Sequence, residues 1–204
     1  MARTQSEHYP EIKLGILRNA AKLFAQKGYA RTTIVDLAKA TTSSRGALYH
    51  YFDSKEAILK EIVFRHVGDM TTRVEAAIDA SDDPTEQCRN VIHAMIGLNT
   101  QSRYEAVVLM NEQRYLDAKD RKSITRMQNE IVDTVADVLQ RADSATRIQS
   151  KSKKPYTMLL VGMMNFIYTW YDPKGPVAPD ELASMVSEVF LNGFQSPRRQ
   201  RTDR

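Results

Sequence analysis

The sequence predicts an all-α protein, and two observations carry this prediction. Through most of the 204 residues, apolar side chains recur three and four positions apart, which is the spacing of one face of an α-helix. The alternation of apolar and polar residues that is typical of strands is hard to find, and eight glycines and seven prolines provide few turns. A hydrophobic content of 42% is sufficient for a sizeable core, in one domain or in two small ones.

Charge is distributed unevenly along the chain. Residues 1–66 contain eleven Lys and Arg against six Asp and Glu, residues 67–196 contain fourteen against eighteen, and residues 197–204 contain four against one. The net charges are therefore +5, −4 and +3, which together give the +4 of the whole chain. A basic amino-terminal third favours a polyanionic partner, because neutralisation of phosphates drives non-specific binding to nucleic acid.

Several classes of protein are disfavoured by the residues present. A single cysteine, Cys88, excludes an intramolecular disulfide, and no spacing of Cys and His suggests a zinc site. No phosphate-binding loop or recognisable nucleophile setting is found, so we expect neither enzyme activity nor a cofactor. The first residues lack the apolar segment of a signal peptide, and the longest apolar run is shorter than the roughly 20 residues that span a bilayer. We therefore expect a cytoplasmic protein with no membrane partner.

The most informative stretch covers residues 32–58, TTIVDLAKATTSSRGALYHYFDSKEAI. A helix starting at Pro10 and ending before Gly28 precedes it and is expected to buttress it. Thr33 followed three residues later by Asp36 predicts a capping box at the start of a first short helix. The polar run at residues 41–44 interrupts the apolar spacing and predicts a tight corner.

A second short helix follows this corner. Arg45 opens about two turns of helix, in which Leu48 and Phe52 share an inward face and the other aromatic and basic side chains point elsewhere. Asp53 and Glu56 predict a second capping box, where a longer helix begins. Two short helices joined by a corner, with outward aromatic and basic residues on the second, are typical of a helix-turn-helix DNA-binding motif.

The segment LAKATTSSRGALYHYFDSKEAI resembles the DNA-binding motif of the TetR family of bacterial transcriptional regulators. The resemblance covers about the first third of the chain. It implies a three-helix helix-turn-helix domain at residues 1–55, a larger helical domain for ligand binding and dimerisation at 56–196, and about nine helices in total. Residues 197–204 are expected to form a basic disordered tail. The shared features are Ala38, the Gly46-x-Leu48-Tyr49-x-Tyr51-Phe52 segment and Ser54-Lys55-Glu56, whereas Thr42 and Ser43 replace the glycine and small aliphatic residue usual at the corner.

The resemblance also implies roles for side chains on and near the second short helix. An arginine can bind guanine through two hydrogen bonds in the major groove, and an alanine methyl can touch thymine. Hydroxyl and ammonium groups more often hold phosphates. We expect Tyr51 to be better exposed than Tyr49, for which burial in the core is the alternative. The predicted base-reading residues are Arg45, Ala47 and Tyr51, the predicted phosphate contacts are Thr33, Ser44, Tyr49 and Lys55, and His50 is compatible with either role.

The remaining chain reads as a series of further helices. Apolar spacing continues from residue 55 to residue 78, which predicts one long helix linking the DNA-binding motif to the rest. Asp83 and Pro84 predict the next helix start, and the apolar pattern then indicates helices at 84–99, 104–118 and 123–141, a loop at 141–154, and two final helices opened by Pro155 and Pro179.

The two final helices predict a dimer interface. The run TMLLVGMMNFIYTWY is apolar around its whole circumference and must be covered on all sides. We therefore expect the helices at 156–171 and 179–194 to pair with those of a second copy in a four-helix homodimer interface. The alternative is that both helices fill the core of the monomer.

A second resemblance concerns the effector. Residues 170–182, WYDPKGPVAPDEL, resemble a segment of TetR-family regulators that respond to acyl-coenzyme A thioesters, although Thr169 and Asp172 do not match, and residues 111–116, NEQRYL, resemble another stretch of these proteins. The phosphates of coenzyme A would need cations, for which Arg121, Lys122 and Lys174 are candidates beside Arg114. The candidates for lining an adaptable effector cavity are Met95, Tyr104, Arg114, Met127, Met163, Phe166, Tyr168 and Trp170. For any one of them, simple packing in the core is the alternative.

These observations predict a homodimeric repressor that a small effector, with an acyl-coenzyme A thioester as the specific hypothesis, releases from a palindromic DNA operator. One alternative is a repressor that senses multiple drugs or aromatic compounds without recognising coenzyme A. A second is a non-specific DNA-binding protein that uses its basic tail as another anchor. A third is an enzyme whose site is assembled from residues far apart in the sequence.

Overall fold

The computed structural model describes residues 9–41, 44–143, 146 and 148–195, with the backbone alone at 194 and 195. The expectations for residues 1–8, for the tail at 197–204 and for the Thr42–Ser43 corner lie outside these residues. Within the described chain the fold is all-α, as predicted, and no strand occurs. Its nine α-helices are α1 (Tyr9–Lys27), α2 (Ile34–Ala40), α3 (Arg45–Tyr51), α4 (Lys55–Asp79), α5 (Pro84–Gln101), α6 (Arg103–Glu112), α7 (Ala118–Ala142), α8 (Ser150–Asn165) and α9 (Pro179–Gln195), with 3₁₀ turns at Gln113–Tyr115 and Phe166–Thr169.

The first compact unit falls within Met1–Asp69 and Ser102–Gln128. Helices α1 to α4 each contribute a fully buried side chain to its core, namely Phe24, Leu37, Leu48 and Ile58. These are positions that the apolar spacing assigned to inward faces. Helix α6 packs along α1. The three helices that precede α4 are therefore fixed around one core, which leaves the opposite face of α3 outward.

The second compact unit falls within Met70–Gln101 and Asn129–Arg204. Helix α5 packs against both α8 and α9. The fully buried side chains of this unit include Ile92, Ile96, Leu139 and Leu160. Helix α4 contributes residues to both units. The units do not coincide with the domain boundary predicted near residue 55, which stays a prediction. None of the described helices is both long enough and apolar enough to cross a membrane.

Capping confirms one predicted helix start and corrects another. The Thr33–Asp36 capping box is present, with the Asp36 N–H donating to Thr33 Oγ1 at 3.2 Å and the Thr33 N–H donating to Asp36 Oδ2 at 2.8 Å. The predicted box of Asp53 and Glu56 is wrong, because α4 begins at Lys55 and the residue before it is Ser54. The Ser54 Oγ accepts a hydrogen bond from the N–H of Ala57 at 3.1 Å.

Four helix boundaries also differ from the prediction. Helix α7 begins at Ala118 rather than at residue 123, because Asp117 Oδ1 accepts a hydrogen bond from the Asp120 N–H at 2.7 Å. Helix α8 begins at Ser150 rather than at Pro155, because Gln149 and Ser152 form a capping box upstream. Pro155 therefore lies inside the helix, where its ring nitrogen cannot donate to the carbonyl four residues earlier. Helix α6 ends at Glu112 instead of Ala118, and α8 gives way to a 3₁₀ turn at Phe166.

Candidate nucleic-acid interface and effector region

The outward face of α3 carries most of the predicted DNA-contacting side chains. Arg45, Ala47, Tyr49 and His50 are exposed, and half of the Tyr49 surface (50%) is accessible. Ser44 is the N-cap of the helix, and its Oγ accepts a hydrogen bond from the Ala47 N–H at 3.1 Å. A short helix that is anchored by one buried face and exposes basic and aromatic groups on the other has the form needed to enter a major groove.

Tyr51 is less exposed than predicted because Tyr9 stacks on it. Their ring centroids are 4.7 Å apart with an interplanar angle of 29°, and His50 meets the Tyr51 ring edge-on at 5.4 Å. Tyr51 is half-buried whereas Tyr49 is exposed, so the expectation that Tyr51 is the better exposed of the two is wrong. No local pattern in the sequence indicates that the start of α1 reaches α3. The base-reading role of Tyr51 stays a prediction.

Two of the predicted phosphate contacts are already engaged within the protein. The Thr33 hydroxyl donates to Asp36 Oδ2 at 2.8 Å and also accepts the Asp36 N–H. The Lys55 ammonium points inward, donating to the carbonyls of Tyr29 at 3.0 Å and Thr32 at 2.9 Å, and it lies 4.2 Å from the centroid of the Tyr29 ring. A phosphate contact by Lys55 requires these bonds to open, and no pattern in the sequence predicts the inward position of its ammonium group.

Tyr29 joins the first turn of α4 to the segment that follows α6. Its phenol donates to Glu56 Oε1 at 2.8 Å, and the Tyr115 ring lies 5.0 Å from its own ring. Burial, followed by the hydrogen bond to Glu56, raises the pKa of Tyr29 well above its usual range. The same hydrogen bond lowers the pKa of Glu56. Both shifts favour a neutral phenol donating to an ionised carboxylate, which holds the start of α4 in place.

The segment at 170–182 consists of a turn at residues 170–178, with Trp170 on its surface, and the first residues of α9. The Tyr171 hydroxyl donates to the Val177 carbonyl at 2.7 Å, and the Gly175 N–H donates to the Asp172 carbonyl at 2.9 Å. A Cβ at Gly175 would lie 3.0 Å from that carbonyl oxygen, so any larger residue would push against the backbone of the turn. Trp170 is 60% exposed beside this turn.

An open cleft of about 600 Å³ lies between α4 and α5 in the second unit, and sequence reasoning did not identify it. His93 is one of its lining residues. The His93 Nδ1 lies 2.7 Å from Asp180 Oδ1, and its Nε2 lies 3.5 Å from Ser184 Oγ. The order of these groups resembles that of a hydrolase triad, but Ser184 lies within a regular helix and its contact is at the limit of a hydrogen bond. We therefore assign the cluster the role of joining α5 to α9.

Two family models match the chain. Residues 16–62 match the model described as "Bacterial regulatory proteins, tetR family", and residues 81–194 match the "Tetracyclin repressor-like, C-terminal domain". The crystal structure of a TetR-family transcriptional regulator from Bordetella parapertussis 12822 is 33% identical and superposes with a TM-score of 0.84, covering 89% of this chain and 94% of that one. The chain belongs to the TetR family.

Two further relatives bear on the type of TetR regulator. The transcriptional repressor KstR2 of Rhodococcus jostii (strain RHA1) is 24% identical over 184 residues, which cover 89% of this chain and 90% of that protein. The structure of AibR in complex with isovaleryl coenzyme A and operator DNA is 23% identical, with a TM-score of 0.75 and coverage of 87% and 97%. The two family models, and not these more distant relatives, show that this chain is a transcriptional regulator with an amino-terminal helix-turn-helix and a carboxyl-terminal helical domain of the TetR type.

The eight predicted effector-lining residues are divided between the two compact units. Tyr104, Arg114 and Met127 belong to the first unit, and Met95 is buried in the second. The guanidinium of Arg114 lies over the Tyr115 ring at 5.0 Å. None of the eight lines the α4–α5 cleft, so their role as an effector pocket stays a prediction. The other four belong to the second unit, with Met163, Phe166 and Trp170 exposed and Tyr168 half-buried.

Proposed function

We propose that this TetR-family regulator is a homodimeric repressor that a small effector releases from a palindromic operator. The observation that carries the proposal is the outward face of α3, where Arg45, Ala47, Tyr49 and His50 stand clear of the core. In a symmetric dimer the two recognition helices, which are α3 of each copy, enter successive major grooves on one side of the duplex. Their separation must then be about 34–36 Å or a multiple of it.

The apolar surface of α8 and α9 supports the homodimer. Leu159 is 62% exposed, Phe166 64% and Val189 66%. The exposed Met163 lies four positions after Leu159 on α8 and three before Phe166 in the turn that follows, and the exposed Met185 lies four positions before Val189 on α9. Met158, next to Leu159, is exposed as well. Large apolar residues that form continuous patches on adjoining helices mark an interaction surface. A second copy of the same two helices covers such a patch symmetrically.

For the effector we propose an acyl-coenzyme A thioester. The sequence at residues 170–182 resembles a segment of acyl-coenzyme A-responsive regulators, and AibR, a structural neighbour, was crystallised in complex with isovaleryl coenzyme A. Helix α4 contributes to both units, so a ligand that prefers one arrangement of α4 can change the separation of the recognition helices. A preference of about 5.5 kcal/mol between two states is sufficient to move their populations from 1:99 to 99:1.

The proposal can be tested by selecting binding sites from a random duplex library with the full-length protein. We expect the selected duplexes to share a palindrome with half-sites spaced by whole helical turns. Failure to enrich any sequence would favour a non-specific DNA-binding protein instead.

The effector is tested separately by thermal shift with isovaleryl coenzyme A, free isovalerate and coenzyme A. Stabilisation by the thioester together with release of the selected duplex supports the proposal. Stabilisation by the free acid alone excludes recognition of coenzyme A and favours a sensor of apolar or aromatic compounds.

A further inference from the structure

The first turns of α1 reach the carboxyl-terminal end of α3. Tyr9 and Lys13 lie four positions apart on α1, so their side chains project from the same face of that helix. The Tyr9 ring stacks on Tyr51 with the two centroids 4.7 Å apart. The Lys13 ammonium lies 5.2 Å from the centroid of the Phe52 ring and forms an ion pair with Glu61 of α4 at 2.7 Å. The end of α3 is therefore held by side chains of a neighbouring helix.

Three rings form a closed cluster at this end of α3. The interplanar angle between Tyr9 and Tyr51 is 29°, and His50 meets the Tyr51 ring at 5.4 Å and 77°. Tyr9 also meets the His50 ring, at 6.1 Å and 89°. Each ring thus contacts the other two, in the stacked and edge-to-face arrangements that aromatic quadrupoles favour. These contacts fix the planes of two rings of α3 that would otherwise turn freely on the surface.

Such support matters because α3 is too short to order its own side chains. It has seven residues, and an isolated helix of this length is not stable in water, so packing decides where its side chains point. Its beginning is fixed by the Ser44 cap, and its middle by the buried Leu48. Tyr51 is the last residue of the helix and lies beyond both of these anchors. The ring of Tyr9 supplies the anchor at this position.

We propose that Tyr9 is a positioning residue for base recognition, which acts by holding the Tyr51 ring in one orientation toward the duplex. A ring held in one orientation fits one base pair, whereas a free ring adapts to several. A side chain that is ordered before binding also loses less conformational entropy when it binds. In this role the ring of Tyr9 is essential and its hydroxyl is dispensable. The inference rests on the proposed reading of base sequence by α3.

Discrimination is measured as the ratio of Kd values for the selected duplex and for duplexes with one base pair changed in each half-site. The base pairs of interest are those whose ratio falls in Tyr51→Ala. At these positions Tyr9→Ala should reduce the ratio by about two- to tenfold, the contribution of one aromatic pair. Tyr9→Leu, which removes the ring but keeps apolar bulk, should do the same, and Tyr9→Phe should retain the wild-type ratio. Ile12→Ala is the control on the same turn of α1, because Ile12 is 43% exposed, and it should also retain the ratio.

Two further measurements separate positioning from a general loss of structure, which would weaken binding to all duplexes equally. In a Tyr51→Ala background, Tyr9→Ala should reduce the ratio no further, because the partner through which it acts is absent. In the protein without DNA, the ring-proton resonances of Tyr51 should move toward random-coil positions in Tyr9→Ala and Tyr9→Leu and stay shifted in Tyr9→Phe.

Unchanged ratios in Tyr9→Ala and Tyr9→Leu would overturn the inference while the proposed function stands. An equal loss in Tyr9→Phe would overturn it too, because the hydroxyl would then contact DNA itself. A further loss in the Tyr51→Ala background, or Tyr51 resonances that ignore Tyr9, would exclude action through Tyr51. A wild-type protein that prefers no sequence would overturn the proposed function, and the role of Tyr9 in base recognition would fall with it.

Discussion

Replacing Lys55 by alanine distinguishes a structural role from a phosphate-binding role. The change removes two hydrogen bonds from the ammonium to the carbonyls of Tyr29 and Thr32, at 3.0 and 2.9 Å, and its contact with the Tyr29 ring. Charge-assisted hydrogen bonds contribute about 1.5–3 kcal/mol each. Because Lys55 is only half-buried and both carbonyls can be rehydrated, we expect a total loss of about 2 kcal/mol. In a chain of this size that loss lowers the Tm by roughly 4–8 °C.

The assay combines thermal unfolding, followed by circular dichroism, with DNA-binding isotherms at several salt concentrations. A phosphate contact predicts a different outcome, since its loss lowers the slope of log K against log salt by about 0.9 without lowering the Tm. Lys39→Ala is the matched control, because Lys39 is exposed on α2 and carries the same charge. An unchanged Tm with a reduced salt slope for Lys55→Ala would refute the inward role derived from the structure.

The remaining predictions concern recognition, assembly, pH and burial. Arg45→Ala should reduce discrimination between the selected duplex and random DNA by about 1–3 kcal/mol, and equal losses on both in a competition assay would exclude a base-reading role. Leu159→Glu and Val189→Glu should each raise the dimer dissociation constant by about 100-fold or more in sedimentation equilibrium, because each buries an unpaired charge; an unchanged constant would place the interface elsewhere. The Lys27 hydrogen bond, followed by those to Thr33, lowers the pKa of Asp36 well below its usual range, so this residue contributes stability above pH 3.8 that is lost at lower pH. Asp36→Asn should therefore flatten the acid limb of unfolding below pH 4, and an identical acid limb would refute the contribution. Burial raises the pKa of the Cys88 thiol to about 11, so at pH 8 a thiol reagent should label folded protein far more slowly than denatured protein, and equal rates would show that the thiol is accessible.

The parts of the fold that were predicted from the sequence depend on residues close together along the chain. The Thr33–Asp36 capping box joins residues three positions apart. Leu48 is buried, as its place on the apolar face of α3 predicts. Gly28 follows α1 with φ +86°, a backbone conformation that favours glycine, and its N–H donates to the Phe24 carbonyl at 2.9 Å. Each of these is a local preference that tertiary packing reinforces.

The parts that were not predicted depend on contacts between distant residues. Tyr9 stacks on Tyr51, a side chain that a helical wheel of α3 places on the outward face. The wheel could not predict this contact, because it contains no information about a neighbouring helix. Lys55 turns to two carbonyls in the loop after α1, although a lysine at a helix start is usually solvated. The bond between His93 and Asp180 joins helices far apart in sequence. Such pairings follow from the packing of helices, which periodicity alone does not determine.

The effector region shows a different limit of sequence reasoning. Aromatic and methionine side chains are predicted to line a pocket because they are apolar and, for methionine, adaptable, but the same properties suit a core or an interface. Met95 is buried, whereas Met163 and Phe166 lie on the exposed face of α8 and the turn that follows it. The α4–α5 cleft is instead lined mainly by alanines and charged residues. Small and charged side chains of this kind do not indicate a pocket in a sequence pattern. Concavity is a property of the packed helices and not of the residue types.

The most direct test of the central claim is native mass spectrometry of the protein with a duplex selected from the random library. A homodimeric repressor should give two chains on one palindromic duplex, and this complex should be lost when either half-site is scrambled. A complex of one chain per duplex, or one that persists unchanged on scrambled DNA, would contradict a symmetric pair of recognition helices that reads base sequence.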